Sequence, residues 1–283
     1  MIDKPLRVLI TGASGLVGSA LSVFLQEKGH VVLPYTRQTS MDLEGFDVVV
    51  HLAGESISSG FWTKRKKKKI WESRIEGTKK LVADLNVLKK PPRLFISASA
   101  VGYYASSDAM QDEESPPGSG FLSSLCLEWE KASSCFIGRA IQVRFGYILS
   151  SKGGILKALL PLFRVGLGGK MGGGKQFFPW VALEDVVRAL YYIMEKEEIK
   201  TPVNIVSPSS VSQGEFAHLL AKALRRPSFF SIPKWFLLAE KTRELILPSL
   251  HILPSRLQKS GFIFSYKTLS EFFQEKLQKK DGS

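Results

Sequence analysis

The sequence predicts an α/β fold built on a doubly wound parallel sheet, with a smaller lobe at its C-terminal end. Three observations carry that expectation. Short apolar runs rich in β-branched residues alternate with longer segments of helical periodicity. The runs are apolar at nearly every position, as strands are when helices cover both faces of a sheet. The first run passes directly into a glycine-rich turn and then a helix.

Taken in order, "LRVLIT" predicts a strand over residues 6–11, and the segment 15–28 a helix stopped by Gly29. Further strands are expected at 31–36, at 46–52 ("FDVVVHL"), at 94–99 ("LFISAS"), at 141–149 ("IQVRFGYIL") and at 203–207 ("VNIVS"). Helices are expected over 64–88, 122–136, 183–196 and 213–224. After Pro227 the composition changes: three prolines interrupt helical stretches, and an amphipathic segment closes the chain at 269–277. The division is therefore drawn at residues 1–226, with 150–180 contributing to a substrate region, and 227–283 as a small C-terminal lobe.

With 283 residues, 44% of them hydrophobic, the chain can bury a large α/β core. The formal net charge of +13 raises the question of an anionic partner. Its sharpest source is "KRKKKK", Lys64 to Lys69, followed by Ile70, Trp71 and Ile75 at helical spacing. That reads as a solvated helix start. Trp62 and Trp71 flank the charges rather than interleave with them, so nucleic acid is not the expected partner. Two cysteines, Cys126 and Cys135, form no metal-binding pattern and suit a reducing cytoplasm. The N-terminus enters a strand at once, without the pattern of a signal peptide. The most apolar stretch, "GGILKALLPLFRVGLGG", carries Lys157 and Arg164 and is broken by Pro161, so no membrane span is expected.

The turn after the first strand reads "TGASGLVG", with Gly12, Gly15 and Gly18 spaced G-x-x-G-x-x-G between a strand and a helix. Glycines there allow a tight turn and close approach of a pyrophosphate, which the helix N-terminus stabilises. The expected fold is thus Rossmann-like and the expected ligand a dinucleotide. The second strand ends in "YTRQ", where an NAD site carries an acidic residue for the ribose hydroxyls. Arg37 cannot accept those bonds but can pair with a 2′-phosphate, and Thr36 can add a hydroxyl, so the cofactor is read as NADP(H). In "HLAGE", small Ala53 and Gly54 allow close backbone approach, while His51 reads as a packed strand residue. "GKMGGGKQ" nearly matches a P-loop, but Gln176 stands where Ser or Thr is needed and "FFPW" begins no helix; it reads as a flexible substrate-side loop, with no metal.

These segments, with "SASAVGYY", "LCLEWE", "QFFPWVALEDV" and the closing "PSRLQKSGFIFSYKTLSEFF", resemble the atypical extended short-chain dehydrogenases/reductases. More narrowly they resemble the epimerase-family branch called sugar-nucleotide epimerase-like or cell division inhibitor. The resemblance covers essentially the whole chain. It implies an NADP-binding Rossmann domain, with Gly12, Ser14, Gly15, Leu16, Val17 and Gly18 around the pyrophosphate. It further implies Thr36 and Arg37 at the adenine-ribose phosphate, and Leu52, Ala53 and Gly54 after the third strand. Arg74 on the next helix and Ile148 near the nicotinamide end complete the set. One departure is Ala105, where the branch has glycine after the paired tyrosines; a positive φ there would strain it. By analogy with related folds, the helix around Phe121 to Trp129 is a candidate homodimer surface.

Hydride transfer to a carbonyl requires a proton. The superfamily supplies it with a Tyr-x-x-x-Lys pair on one helix face and a serine on the carbonyl oxygen. Ser99, at a strand's C-terminal end, fits the serine, with Ser97 the alternative. The helix that should carry the pair has Phe121 and Leu125 at that spacing. Tyr103 is then the candidate phenol, with Tyr104 beside it, while Cys126 reads as a buried helix residue. The reading is an NADP(H)-binding oxidoreductase or epimerase-like protein acting on a small molecule. Its alternative is an NADP(H) sensor with little turnover.

Overall fold

The computed structural model describes residues 4–36, 42–228, 230–232 and 244–278. Six parallel strands form the central sheet: β1 (Arg7–Thr11), β2 (Val31–Tyr35), β3 (Val48–His51), β4 (Leu94–Ala100), β6 (Arg139–Phe145) and β11 (Val203–Ile205), in the order β2-β1-β3-β4-β6-β11. All six expected strands are present in it. After β2 the chain crosses back to place β3 on the other side of β1, so the winding reverses between β1 and β3. In open α/β sheets, ligands bind at that reversal, beyond the carboxyl ends of the strands.

Strand alternation sorts the core into two layers. Val8, Ile10, Val48, Val50, Leu94 and Ile96 face α1 (Leu16–Glu27) and α5 (Leu183–Glu195). The intervening Leu9, Val49 and Phe95 face α2 (Lys64–Asn86) and its Leu81, Val82 and Leu85. α3 (Phe121–Ser134) lies beside α2, against β4 and β6. α2 begins with the basic run as expected, and the Thr63 hydroxyl caps it by accepting from Lys66 N–H.

The run expected as one strand over 141–149 is two. Gly146 breaks it: a Cβ there would lie 2.3 Å from the Pro179 carbonyl oxygen, which passes across the chain. β7 (Tyr147–Ser150) leaves the main sheet to pair with β10 (Trp180–Ala182). With β9 (Phe177–Phe178), α4 (Gly154–Arg164) and α6 (Gln213–Ala223), they enclose a second core around Leu160, Phe163, Trp180 and Phe216. The apolar stretch with Pro161 is thus α4, and among the described residues no helix is long and apolar enough to cross a membrane.

The remaining strands are short. β5 (Ser107–Gln111) pairs with β14 (Leu250–Ile252), β8 (Gly169–Met171) with β13 (Phe230–Ile232), and β12 (Val211–Ser212) with β9. α7 (Ser255–Lys259) and α8 (Leu269–Phe273) follow, and a π turn over Gln274–Gln278 ends the description. The described tail packs into both cores: Leu257, Phe262 and Phe264 join the α1–α5 layer, and Phe272 and Phe273 join the second core.

The near-P-loop at residues 169–176 has no helix after it, in agreement with its rejection. Two hydrogen bonds tie it to the start of α6. Gln213 Oε1 accepts from Met171 N–H at 2.7 Å, and Gly214 N–H donates to the Gly174 carbonyl at 2.8 Å. Trp180, 1% exposed, donates its indole N–H to the Ser209 carbonyl at 2.9 Å and packs on Phe272. Trp180→Ala is expected to lower the unfolding free energy by about 3–5 kcal/mol, read from urea denaturation midpoints.

Candidate functional site

The glycine turn sits at the reversal point. Gly12 has φ +71°, a region that side chains rarely adopt, and a Cβ there would stand 2.8 Å from the Leu52 carbonyl carbon. A Cβ on Gly18 would lie 2.3 Å from the Gly12 carbonyl oxygen. These two glycines therefore let β1, α1 and the end of β3 touch. Gly15 begins α1, whose first turn has neither a side-chain cap nor an acidic residue. Ser14 and Gly15 are exposed, so the positive end of the helix faces open space. Leu16 and Ile148 both border the start of α4. A Cβ on Gly153 would lie 2.9 Å from Leu16, and one on Gly154 would lie 3.0 Å from the Ile148 carbonyl oxygen. Val17 packs on the sheet core.

A cleft of about 410 Å³ opens beside this turn, lined by Gly12, Tyr35, Thr36, Ala53, Gly54 and Glu55 among others. Thr36 is exposed at its edge, and Arg37 lies outside the described residues. His51 is a packed strand residue, as expected. It is 3% exposed and held between the Thr11 hydroxyl at 2.7 Å and the Thr78 hydroxyl at 3.0 Å. Arg74 reaches from α2 to the back of Gly54, where a Cβ would lie 2.9 Å from its Cζ. Burial pushes the Arg74 guanidinium down to about 10, against the opposing pull of Cys126 and Glu55. The Glu55 carboxylate pairs with Lys66 at 2.6 Å; hydrogen bonding and charge from Lys66 hold it below the usual range.

Beyond the carboxyl end of β4 lies a buried polar network. The Ser99 hydroxyl donates to Glu130 Oε1 at 2.6 Å. Arg144 meets Glu130 with both Nε and Nη2 at 2.8 Å, and its side chain is 3% exposed. Its Nη1 donates to the Tyr104 hydroxyl at 2.8 Å, which donates to Asn204 Oδ1 at 2.7 Å. Burial alone would lower the Arg144 guanidinium, but Glu130 outweighs it and the net displacement is upward. Burial pushes the Tyr104 phenol up to about 12, against Arg144. The Arg144 Cζ also stands 3.5 Å from the centroid of the Tyr103 ring. Among the described residues the Tyr103 hydroxyl has no hydrogen-bond partner.

Ser99 and Tyr103 thus meet through Arg144 and Glu130, with the Ser99 hydrogen directed at Glu130. Ser97, the alternative, is fully buried and bonds the Ala98 carbonyl at 3.4 Å. Ala105 causes no strain, since Arg225 alone among the described non-glycine residues has a positive φ.

The register of α3 needs correcting. Phe121 packs edge-on against Trp62 with centroids 5.4 Å apart, and Leu125 is buried against Ile70 and Ile75. Both therefore serve the contact with α2. The face toward β4 comes one residue later, as Leu122, Cys126 and Glu130: a Cβ on Gly102 would lie 3.3 Å from Leu122 and 4.0 Å from Cys126 Sγ. Neither register carries Tyr or Lys. Burial, with Glu130 adding, pushes the Cys126 thiol up to about 12, so it is not a nucleophile at neutral pH. Entry to α3 is set from the tail: Glu244 accepts from Leu122 N–H at 2.9 Å and from Phe121 N–H at 3.4 Å.

Glu130, Arg144 and Asn204 escaped the sequence reading, which offered Tyr104 only as a phenol beside Tyr103. One signal was present: Arg144 is a charge inside the apolar run "IQVRFGYIL", which only a buried partner makes tolerable. Arg144→Met and Glu130→Gln are each expected to cost about 3–5 kcal/mol, since each strands a buried partner. The double variant is expected to cost clearly less than the sum, measured as a double-mutant cycle in urea.

Comparison with known proteins agrees with this geometry. Residues 8–206 match the model of the NAD dependent epimerase/dehydratase family. The epimerase family protein Mb2239 of Mycobacterium bovis is 35% identical over 291 residues, spanning 93% of this chain and 95% of that protein. The crystal structure of human epimerase family protein SDR39U1 (isoform 2) with NADPH superposes with a TM-score of 0.91 at 31% identity, covering 96% of this chain and 99% of that one. A dTDP-4-dehydrorhamnose reductase from Clostridium acetobutylicum shares the fold, with a TM-score of 0.81 at 15% identity over 98% of this chain and 100% of that one. With its glycine turn, its parallel sheet and these relatives, the chain belongs to the NAD dependent epimerase/dehydratase family, as an atypical short-chain dehydrogenase/reductase.

Proposed function

We propose that the protein binds NADP(H) in the cleft beside β1 and β3 and uses it in an oxidoreductase or epimerase-like reaction on a small polar substrate. The observation that carries this reading is the contact made by Gly12 and Gly18. It holds the uncapped end of α1 open at the reversal point, where a pyrophosphate would be met by backbone N–H groups. Ser14, Gly15, Leu16 and Val17 belong to that turn, and Ala53 and Gly54 to the facing wall. Ile148 and Leu16 both border Gly154. Thr36 borders the cleft at the end of β2, and Arg37, the next residue in the sequence, suits NADP(H) over NAD(H). The crystallised human relative, with NADPH, supports the same choice.

The bound nicotinamide would supply or accept hydride; the chain's own part is the proton. Tyr103 is the phenol assigned to it, because its hydroxyl has no hydrogen-bond partner among the described residues and its ring lies against Arg144 and Tyr104. Ser99 is assigned a positioning role beside it, since its hydrogen is given to Glu130. The apolar and thiol groups of Leu122 and Cys126 on the β4 face of α3 favour a second reading, an NADP(H)-binding protein with little turnover.

Three outcomes are expected. NADPH binding, followed by its fluorescence, is abolished by Gly18→Val, whose side chain would collide with the Gly12 carbonyl. Arg37→Ala weakens NADPH about ten- to a hundredfold and NADH little, as for a lost charge-assisted hydrogen bond. NADPH consumption over a panel of carbonyl compounds is lost in Tyr103→Phe. A wild-type protein that binds neither NADPH nor NADP⁺ would sink the reading; binding without consumption leaves the second reading in place.

A further inference from the structure

The structure divides the six cations of the basic run, Lys64 to Lys69, into two sets. Lys66 and Lys67 turn inward: Lys66 bonds the Glu55 carboxylate at 2.6 Å, and the Lys67 ammonium stands 5.1 Å from the centroid of the Phe121 ring. Lys64, Arg65, Lys68 and Lys69 are exposed. Spaced by helical turns, these four share one face of α2, within an arc of about 140°. Among the described residues, Glu72, at 3.7 Å from Lys68, is the one carboxylate that meets any of the four, and both side chains of that pair are solvated. Like charges four residues apart, as in Lys64 with Lys68 and Arg65 with Lys69, oppose the helix. So does their place at its positive end. Such a face works against its own helix and favours an anionic partner.

An apolar ring stands beside the charges. Phe61 is 85% exposed, and its carbonyl accepts from Thr63 N–H at 3.0 Å, at the capped end of α2. Its side chain is therefore displayed at the same end of the helix as the cations. Trp62 and Trp71 are committed elsewhere. The Trp62 indole donates to the Ile57 carbonyl at 3.0 Å, and both rings lie against Phe121, with centroids 5.4 and 6.5 Å away. A single projecting ring makes a poor stacking platform for the successive bases of a nucleic acid. It suits a lipid surface, where headgroups take the charges and the ring passes between them without needing a shaped socket.

We propose that Phe61 and the four exposed cations of α2 form a docking face for an anionic bilayer, on whose surface the protein lies without crossing it. The test is co-sedimentation of the full chain with vesicles of phosphatidylcholine, alone or with about one quarter phosphatidylserine. Binding is expected to the second and not to the first, and it weakens as added salt screens the charges. The variant carrying Lys64→Gln and Arg65→Gln is expected to bind about tenfold more weakly or worse, while its thermal midpoint stays the same or rises, since both charges oppose the helix dipole. Phe61→Ser is expected to bind severalfold more weakly and to keep the salt dependence of wild type. A wild type that does not bind the phosphatidylserine vesicles overturns the proposal. Binding that the charge variant retains in full overturns it too, by placing the contact on another surface. Phe61→Ser binding as wild type removes the lipid assignment, because charge without the ring suits any polyanion. A single-stranded oligonucleotide bound more tightly than the vesicles, and weakened by the same variants, makes the face a nucleic-acid site instead.

Discussion

The buried pair of Arg144 and Glu130 is the constraint on which the site's arrangement depends. A guanidinium inside the sheet is tolerable only if an acid reaches it, and the bidentate contact at 2.8 Å fixes how α3 lies on β6. Every remaining donor and acceptor then has a single geometry to adopt. Ser99 brings in β4, Tyr104 the turn after it, and Asn204 the neighbouring strand β11. Asn204 extends the chain of contacts, donating its backbone N–H to the Glu113 carboxylate and its side-chain amide N–H to the Leu253 carbonyl. Such a network resists register slips, because moving any one strand leaves several buried groups unpaired at once.

Around that frame, the two halves of the site are held by different physics. The cleft by β1 and β3 is shaped by what is missing: Gly12, Gly18 and Gly54 let backbone and a guanidinium approach where a methyl group would collide. The half beyond β4 is shaped by what is paired, with aromatic rings stacked on the same arginine that closes the network. Arg74 stands between them and belongs fully to neither. It shares the burial of the second half but, among the described residues, makes no ion pair like that of Arg144.

The basic start of α2 follows a simpler logic. Lys64, Arg65, Lys68 and Lys69 are exposed, and the run gains little from the helix dipole, whose positive end it occupies. Thr63 holds the helix end by its hydroxyl, Glu72 meets Lys68 at 3.7 Å, and Lys66 is drawn to Glu55. The last contact borders the site, since Glu55 lines the cleft and its carbonyl accepts from Arg74.

Sequence alone determined which runs become the main strands and helices, because continuous apolar runs and helical spacing are local and survive without knowledge of what packs where. It also located the glycine turn, since a strand, three spaced glycines and a helix need no distant partner to be recognised. Three things were decided only in the tertiary structure. The break at Gly146 depends on Pro179 crossing it, 33 residues later in the chain. The face of α3 that meets β4 depends on a rotation that spacing of four leaves open, which is why Phe121 and Leu125 stood in for Leu122 and Cys126. The partners of Arg144 depend on residues brought from other elements, and a charge in a sequence does not name the group that will neutralise it.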